Sequence, residues 1–259
     1  MPSPLPQEGA TKRMGRRAIL LLLTMATALL MASGVALALT KTCLAGSTST
    51  KPCYGSLNAD VITGTPAADY INAQNGDDTV NARDGGDNVY GSLGRDIIDG
   101  EAGNDKLYGD NHDDKIEGGE GDDRLDGSTD NDKLWGGTGK DTLYGSAGND
   151  YLYGGPGCDI LYGSLGGDTI YANNTESCED PETIDDKVVD DKVYGEDGND
   201  RINTSGDSSD GKVDIIYCGL GDDDRVWVDP EDVLPVPENC EHKNEGTAPT
   251  GEDSKEETP

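Results

Sequence analysis

Gly118-Gly119-Glu120-Gly121-Asp122-Asp123-Arg124-Leu125-Asp126 and, two units on, Gly136-Gly137-Thr138-Gly139-Lys140-Asp141-Thr142-Leu143-Tyr144 are copies of one nine-residue unit. Its aspartate recurs without a register slip at Asp60, Asp69, Asp78, Asp87, Asp96, Asp105, Asp114, Asp123, Asp132, Asp141, Asp150, Asp159 and Asp168. Two residues after each stands an aliphatic side chain, from Ile62 and Ile71 through Leu125 and Leu134 to Leu161 and Ile170. Five places before the aspartate the residue is Gly, except at Ala73 and Ala82. Two places before it, Gly stands in nine of the thirteen units, with Asn58, Ala67, His112 and Asp130 in the others. The unit is therefore G-x-x-G-x-D-x-U-x with U aliphatic, and a period this strict calls for a stacked, repetitive architecture.

Over residues 55–171, and more raggedly to about residue 226, the chain resembles the repeat-in-toxin (hemolysin-type) calcium-binding nonapeptide family. The resemblance implies an all-β fold, a parallel β-roll or right-handed β-solenoid. In it six residues make a metal-binding turn and three a strand, so that eighteen complete one coil. It also implies that each calcium ion sits between vertically adjacent turns.

The chemistry of the unit agrees with that reading. A three-residue strand cannot stand alone and must stack on its neighbours to satisfy its backbone. Glycine at fixed offsets opens backbone conformations closed to other residues and lets carbonyl oxygens turn inward. Calcium takes six to eight hard oxygen ligands, which carbonyls plus one carboxylate per turn supply. At eighteen residues per coil the aspartates split into two ladders: Asp60, Asp78, Asp96, Asp114, Asp132, Asp150 and Asp168 on one edge, Asp69, Asp87, Asp105, Asp123, Asp141 and Asp159 on the other. Sites between neighbours number at most about eleven. Both glycines are present before Asp96, Asp105, Asp123, Asp141, Asp150, Asp159 and Asp168. Asp78, Asp87, Asp114 and Asp132, together with Asp200 from a later unit (Gly195 to Asn203), complete the candidate ligands.

The chain carries 52 acidic against 20 basic residues, no Phe, and 33% apolar residues. Such a balance ordinarily signals disorder. Here the acids are locked in phase with an aliphatic residue, which a solvated Asp/Gly-rich linker has no reason to show. A solenoid with acidic turns and no metal is the other alternative, and it must bear carboxylates stacked about 5 Å apart with no cation between them. The charge excludes nucleic acid as a partner, because phosphate binding needs a basic surface.

A cationic stretch, Lys12 to Arg17, precedes an apolar and small-residue run from Ala18 to Leu39, and Ala36-Leu37-Ala38 matches an A-x-A cleavage signal. Residues 1–38 thus form a signal peptide for a secreted, extracellular protein; the same run is long enough to remain as an uncleaved anchor at the outer face of the membrane. Residues 39–54 form an N-terminal cap, 55–171 the regular calcium-binding roll, 172–240 an irregular roll with insertions and a disulfide-tied cap, and 241–259 a charged, disordered tail. Export makes disulfides the default for six cysteines, and nearness pairs Cys43 with Cys53, Cys158 with Cys178 and Cys218 with Cys240. Zinc is the rival reading, opposed by the lack of C-x-x-C pairs and by only two histidines.

Those histidines, His112 and His242, do not assemble a nucleophilic site, so no enzyme is expected. The expected function is a calcium-folded structural or cell-surface module, with calcium as its cofactor. A second reading is an adhesin or carbohydrate-binding protein that uses aromatic ladders, Tyr90, Tyr108, Tyr144 and Tyr162 on one sheet and Trp135, Tyr153 and Tyr171 on the other. Ice binding would want a regular Thr or Asn ladder, which the outward positions lack.

Overall fold

The structure is a computed structural model that describes residues 39–43, 51–172, 182–184, 187–204, 213–220, 224–228, 240 and 242–245. The segment 1–38 read as a signal peptide, Cys178 and most of 241–259 lie outside the described residues. Every regular element among the described residues is a strand.

The first coil is made by β1 (Leu39–Thr42) and β2 (Cys53–Tyr54). The regular array follows as β3 (Asp60–Thr63), β4 (Tyr70–Asn72), β5 (Thr79–Asn81), β6 (Asn88–Leu93), β7 (Ile97–Asp99), β8 (Lys106–Asn111) and β9 (Lys115–Glu120). It continues through β10 (Arg124–Thr129), β11 (Lys133–Thr138), β12 (Thr142–Ala147), β13 (Tyr151–Tyr153), β14 (Ile160–Leu165) and β15 (Thr169–Tyr171). Beyond it come β16 (Glu182–Ile184), β17 (Lys187–Asp197), β18 (Arg201–Asn203), β19 (Val213–Tyr217), β20 (Arg225–Val228) and β21 (His242–Glu245).

Successive strands alternate between two parallel sheets. The first sheet runs β1-β3-β5-β7-β9-β11-β13-β15-β18-β20-β21; the second runs from β2 through the even strands to β14, then β17 and β19. Register follows the coil: Leu107, Leu125, Leu143 and Leu161 are successive partners in one sheet, and Ile116, Leu134, Leu152 and Ile170 in the other. The chain is thus a parallel β-solenoid with eighteen residues per coil. Because the strands alternate their side chains, the aliphatic two places after each aspartate points inward, and these residues are 0–1% exposed from Ile62 to Ile170. Val193, Ile202, Ile216 and Val226 extend the same core past the regular array.

Three features depart from the sequence-based expectation. Seven strands, among them β8 and β10, run to six residues rather than three, because the turn residues also stack in register, as in Ser92 with Asp110 and Leu93 with Asn111. Part of the first insertion is a hairpin, with β16 antiparallel to β17. Within the segment read as a tail, His242–Glu245 forms β21, parallel to β20.

The ends are covalently tied. Cys43 bonds Cys53 across the first coil, and Cys218 bonds Cys240 near the last. Cys158 is also disulfide-bonded, and no cysteine among the described residues is free, which removes the thiolates a zinc site needs.

Candidate metal centre

A ladder aspartate ends a turn and begins a strand, and that position buries it. Asp60 through Asp168, every ninth residue, is at most 3% exposed, and Asp200 and Asp224 are fully buried. The backbone N–H of each aspartate donates to Oδ1 of the aspartate one coil on: Asp87 to Asp105 at 2.7 Å, Asp105 to Asp123 at 2.8 Å, Asp123 to Asp141 at 2.9 Å and Asp141 to Asp159 at 2.9 Å. The opposite edge repeats this through Asp96, Asp114, Asp132, Asp150 and Asp168, and then past the irregular segment to Asp200 and Asp224. Each carboxylate therefore has one oxygen engaged.

The other oxygen is not. Oδ2 of Asp78, Asp87, Asp96, Asp105, Asp114, Asp123, Asp132, Asp141, Asp150, Asp168 and Asp200 is buried with no hydrogen-bond partner. Buried polar atoms are ordinarily paired, and a buried charge without compensation is costly. The strain shows in the protonation equilibria. Burial pushes Asp105 up to about 6 and Asp123, Asp141 and Asp168 up to about 7, against the partial relief of the backbone N–H each accepts. Asp114 and Asp132 rise to about 8, again chiefly through burial, with neighbouring carboxylates including Asp113 adding to it.

What these oxygens face is set by the glycine five places earlier. A β-carbon on Gly118 would stand 2.4 Å from both Asp123 Oδ2 and the carbonyl oxygen of Gly136, one coil on. On Gly136 it would meet Asp141 Oδ2 and Gly154 O at 2.5 Å each; on Gly100, Gly118 O at 2.4 Å and Asp105 Oδ2 at 2.6 Å. Gly91, Gly145 and Gly163 repeat the pattern with Asp96, Asp150 and Asp168, and Gly195 with Asp200 and the carbonyl of Cys218. The missing side chain leaves a cradle between a bare carboxylate oxygen and a carbonyl of the next coil. Among the described residues no three acidic, His or Cys side chains converge on one point. The donor set is one carboxylate plus backbone carbonyls, all hard oxygens, which fits calcium and not a thiolate- or imidazole-seeking metal. These residues would hold the ion, and its charge would compensate the buried carboxylates.

The structure separates positions that the repeat made equivalent. At Ala73 and Ala82 a methyl group, fully buried, stands at the position that is glycine in the other turns, so the turns of Asp78 and Asp87 lack the glycine that opens the cradle elsewhere. His112 and Asp130 are accommodated with φ of 80° and 77°, left-handed values, and the aspartate ladder passes them unbroken. Asp224 was missed: it ends the ladder that runs through Asp168 and Asp200, but its turn keeps only Gly219 of the two spaced glycines, with Asp222 at the other position, so that Asp224-Arg225-Val226 was a weak signal. An outer ladder was also missed. One residue before the buried aspartates, Asn131 N–H donates to Asp113 Oδ1, Asn149 to Asn131 Oδ1 and Gly167 to Asn149 Oδ1, at 2.8–3.1 Å, satisfying turn amides along the edge.

The aromatic rows differ between the sheets. On the second, Tyr144, Tyr162, Tyr194 and Tyr217 stack face to face with ring centroids 4.8 Å apart, and Tyr90 stacks on Tyr108 in the same way. Between Tyr108 and Tyr144 the row has Asp126, and the guanidinium of Arg124 lies 4.2 Å from the centre of the Tyr144 ring. On the first sheet the rings are tilted, Trp135 against Tyr151 by 45° and Tyr151 against Tyr171 by 39°.

Comparison with known families matches the chain to the model described as RTX calcium-binding nonapeptide repeat, over residues 54–89, 81–116, 90–125, 108–143, 126–161, 135–170 and 190–209. A comparison with curated proteins gives no match.

Proposed function

The chain belongs to the RTX calcium-binding nonapeptide repeat family, and on that premise we propose that it is an exported, non-enzymatic module that calcium folds outside the cell. The observation that carries this reading is the cradle between the partnerless Oδ2 of Asp96, Asp105, Asp123, Asp141, Asp150, Asp168 and Asp200 and the carbonyl of the next coil. Filling it with a divalent cation compensates carboxylates that otherwise repel one another within a one-residue-thick core. Export is supported by the Cys43–Cys53 and Cys218–Cys240 bonds, which need an oxidising compartment. Weak sites of about 10⁻⁴ to 10⁻³ M fill at extracellular calcium concentrations and not in the cytosol, so folding waits for secretion. What the folded roll then offers is a rigid, disulfide-capped rod at or beyond the cell surface.

Far-ultraviolet circular dichroism of the chain lacking residues 1–38, first in chelator and then in millimolar calcium, tests the reading. The expected result is a largely unstructured spectrum that gains β character on adding calcium; an unchanged spectrum refutes it.

A second reading, an adhesin that grips carbohydrate, has support on one sheet only. Sugar rings pack against aromatic faces, and the stacked tyrosines of the second sheet cover one another's faces. The tilted rings of the first sheet do not.

A further inference from the structure

Charge is segregated by position in the coil. The acids lie in the turns, whereas the residues pointing outward from the strands, one and three places after each ladder aspartate, include only three carboxylates among the described side chains: Asp99, Glu117 and Asp126. The same positions hold seven cations, Lys106, Lys115, Arg124, Lys133, Lys192, Arg201 and Arg225. On the second sheet Asp110, Asp126 and Glu196 offset Lys106, Arg124 and Lys192, whereas on the first sheet Lys115, Lys133, Arg201 and Arg225 outnumber Asp99 and Glu117, so a chain of net charge -32 has one flat face that is locally positive.

On the first sheet these cations bracket the tilted rings. In order along the roll come Lys115, which lies 5.2 Å from the Trp135 ring centre, then Lys133 beside Trp135, Tyr151 beside Tyr153, Tyr171, Arg201 and Arg225. These four rings and Trp227, beside Arg225, are half-buried, Lys133, Arg201 and Arg225 are exposed, and Glu117, in register with Trp135, places one carboxylate in the bed. The bed spans six strands, roughly 24 Å at the usual spacing between strands.

We propose that this outer face of the first sheet binds a linear acidic polysaccharide, a polymer of carboxylated sugars laid along the roll axis. The proposal rests on the carbohydrate-binding reading and names its ligand class. Tilted half-buried rings offer apolar surface to the faces of sugar rings, and cations at both ends of the bed meet carboxylates. The rise of one coil is close to the advance of one sugar unit in an extended chain, so successive units meet successive strands. Acidic turns on both flanks repel a polyanion from the edges and align it with the middle of the sheet. The same flanks disfavour an anionic lipid surface, which would have to touch the turns. They also disfavour duplex nucleic acid, whose charge is far denser at about one per 1.7 Å.

The test is calorimetric titration of the calcium-folded chain with a uronic-acid hexasaccharide and with a neutral hexasaccharide, folding being checked by circular dichroism. Binding of the uronate is expected, weakened by about tenfold in Lys133→Gln/Arg201→Gln, several-fold in Tyr153→Ala, and not at all in Tyr162→Ala on the other sheet. Added salt should weaken it. Binding of the neutral sugar alone would overturn the acidic ligand class and leave the carbohydrate reading standing; binding of neither overturns both. Uronate binding that is indifferent to Lys133→Gln/Arg201→Gln means calcium bridging to the turns and overturns the assignment of the face. So does tighter binding of phosphatidylserine vesicles or single-stranded DNA. Should Tyr153→Ala fail to fold in calcium, the lysine and arginine variant decides alone.

Discussion

Gly118 keeps a backbone conformation open to any residue, yet a β-carbon there would stand 2.4 Å from Asp123 Oδ2 and from Gly136 O. Its role is to leave space. Gly121, three residues on, has φ of 132° and would strike the carbonyl of Gly103 at 1.8 Å, so it is needed for both conformation and room. Gly118→Ala should therefore fill the cradle without straining the chain, raising the calcium midpoint of folding on the order of tenfold, or about 1.4 kcal/mol. The reverse change, Ala82→Gly, should add one bound ion per chain, counted by mass spectrometry under native conditions; an unchanged count would mean that the methyl does not exclude calcium. Asp123 accepts from Asp105 and faces an oxygen-lined cradle, whereas Asp132 follows a turn in which Asp130 holds a left-handed conformation. Asp123→Ala is expected to weaken calcium-induced folding more than Asp132→Ala, although each removes one charge, and equal midpoints in parallel titrations would contradict this ranking. The aspartates and both glycine offsets were legible in the sequence, but not the division of labour between the glycines. The residue four places before the aspartate is left-handed as well, at Gln74, Arg83, Ser92, Asp110, Ser128, Ser146 and Ser164, and so varied a set of side chains carries no pattern that reveals it.

Strands of six residues arise because turn and strand share one register, so each element is stitched to its neighbour along nearly its whole length. The second sheet adds a column of stacked tyrosines that is interrupted only at Asp126 between Tyr90 and Tyr217. There Arg124 pairs with Asp126 at 3.9 Å and covers the Tyr144 face, while Ser128 and Ser146 donate to Asp126 Oδ1. Asp126→Tyr would continue the column with a ring in place of a carboxylate. It should stabilise the calcium-loaded roll by roughly 0.5–1.5 kcal/mol, read as a shift in the denaturant midpoint. A destabilised variant would show that the Arg124 arrangement is worth more than a stacked ring. Strand order and facing were readable from the ninefold period alone, since it fixes which residues recur at eighteen. The hairpin of β16 with β17 and the strand β21 were not, because outside the repeat no period remains to set a partner.

Across the whole molecule, the buried aspartates make the metal-free and metal-loaded forms respond to pH with opposite sign. In the metal-free fold, burial raises the ladder carboxyls from 3.8 to values of about 6 to 8, so the neutral form is favoured in the folded state. Their contribution to stability is fully present below pH 4 and is lost as pH rises through 6 to 8. In chelator, acidification from pH 8 to pH 4 should therefore bring out β structure by circular dichroism, protons standing in for cations; a chain that stays unstructured throughout would refute this. In calcium the trend reverses, since ligands must be deprotonated to bind. Net charge was plain from composition, but its confinement to the edges, with cations and rings on the faces, depends on which side of each strand a residue takes. The backbone hydrogen bonds between coils, such as Lys106 N–H to Asp87 O at 2.8 Å, run along the length of the rod. A pull between its two ends loads them in series, so coils yield one at a time from an end. Each coil that opens turns a rise of about 4.8 Å into roughly 60 Å of extended chain. A rod built this way is a reserve of length, and calcium sets the force at which it pays out.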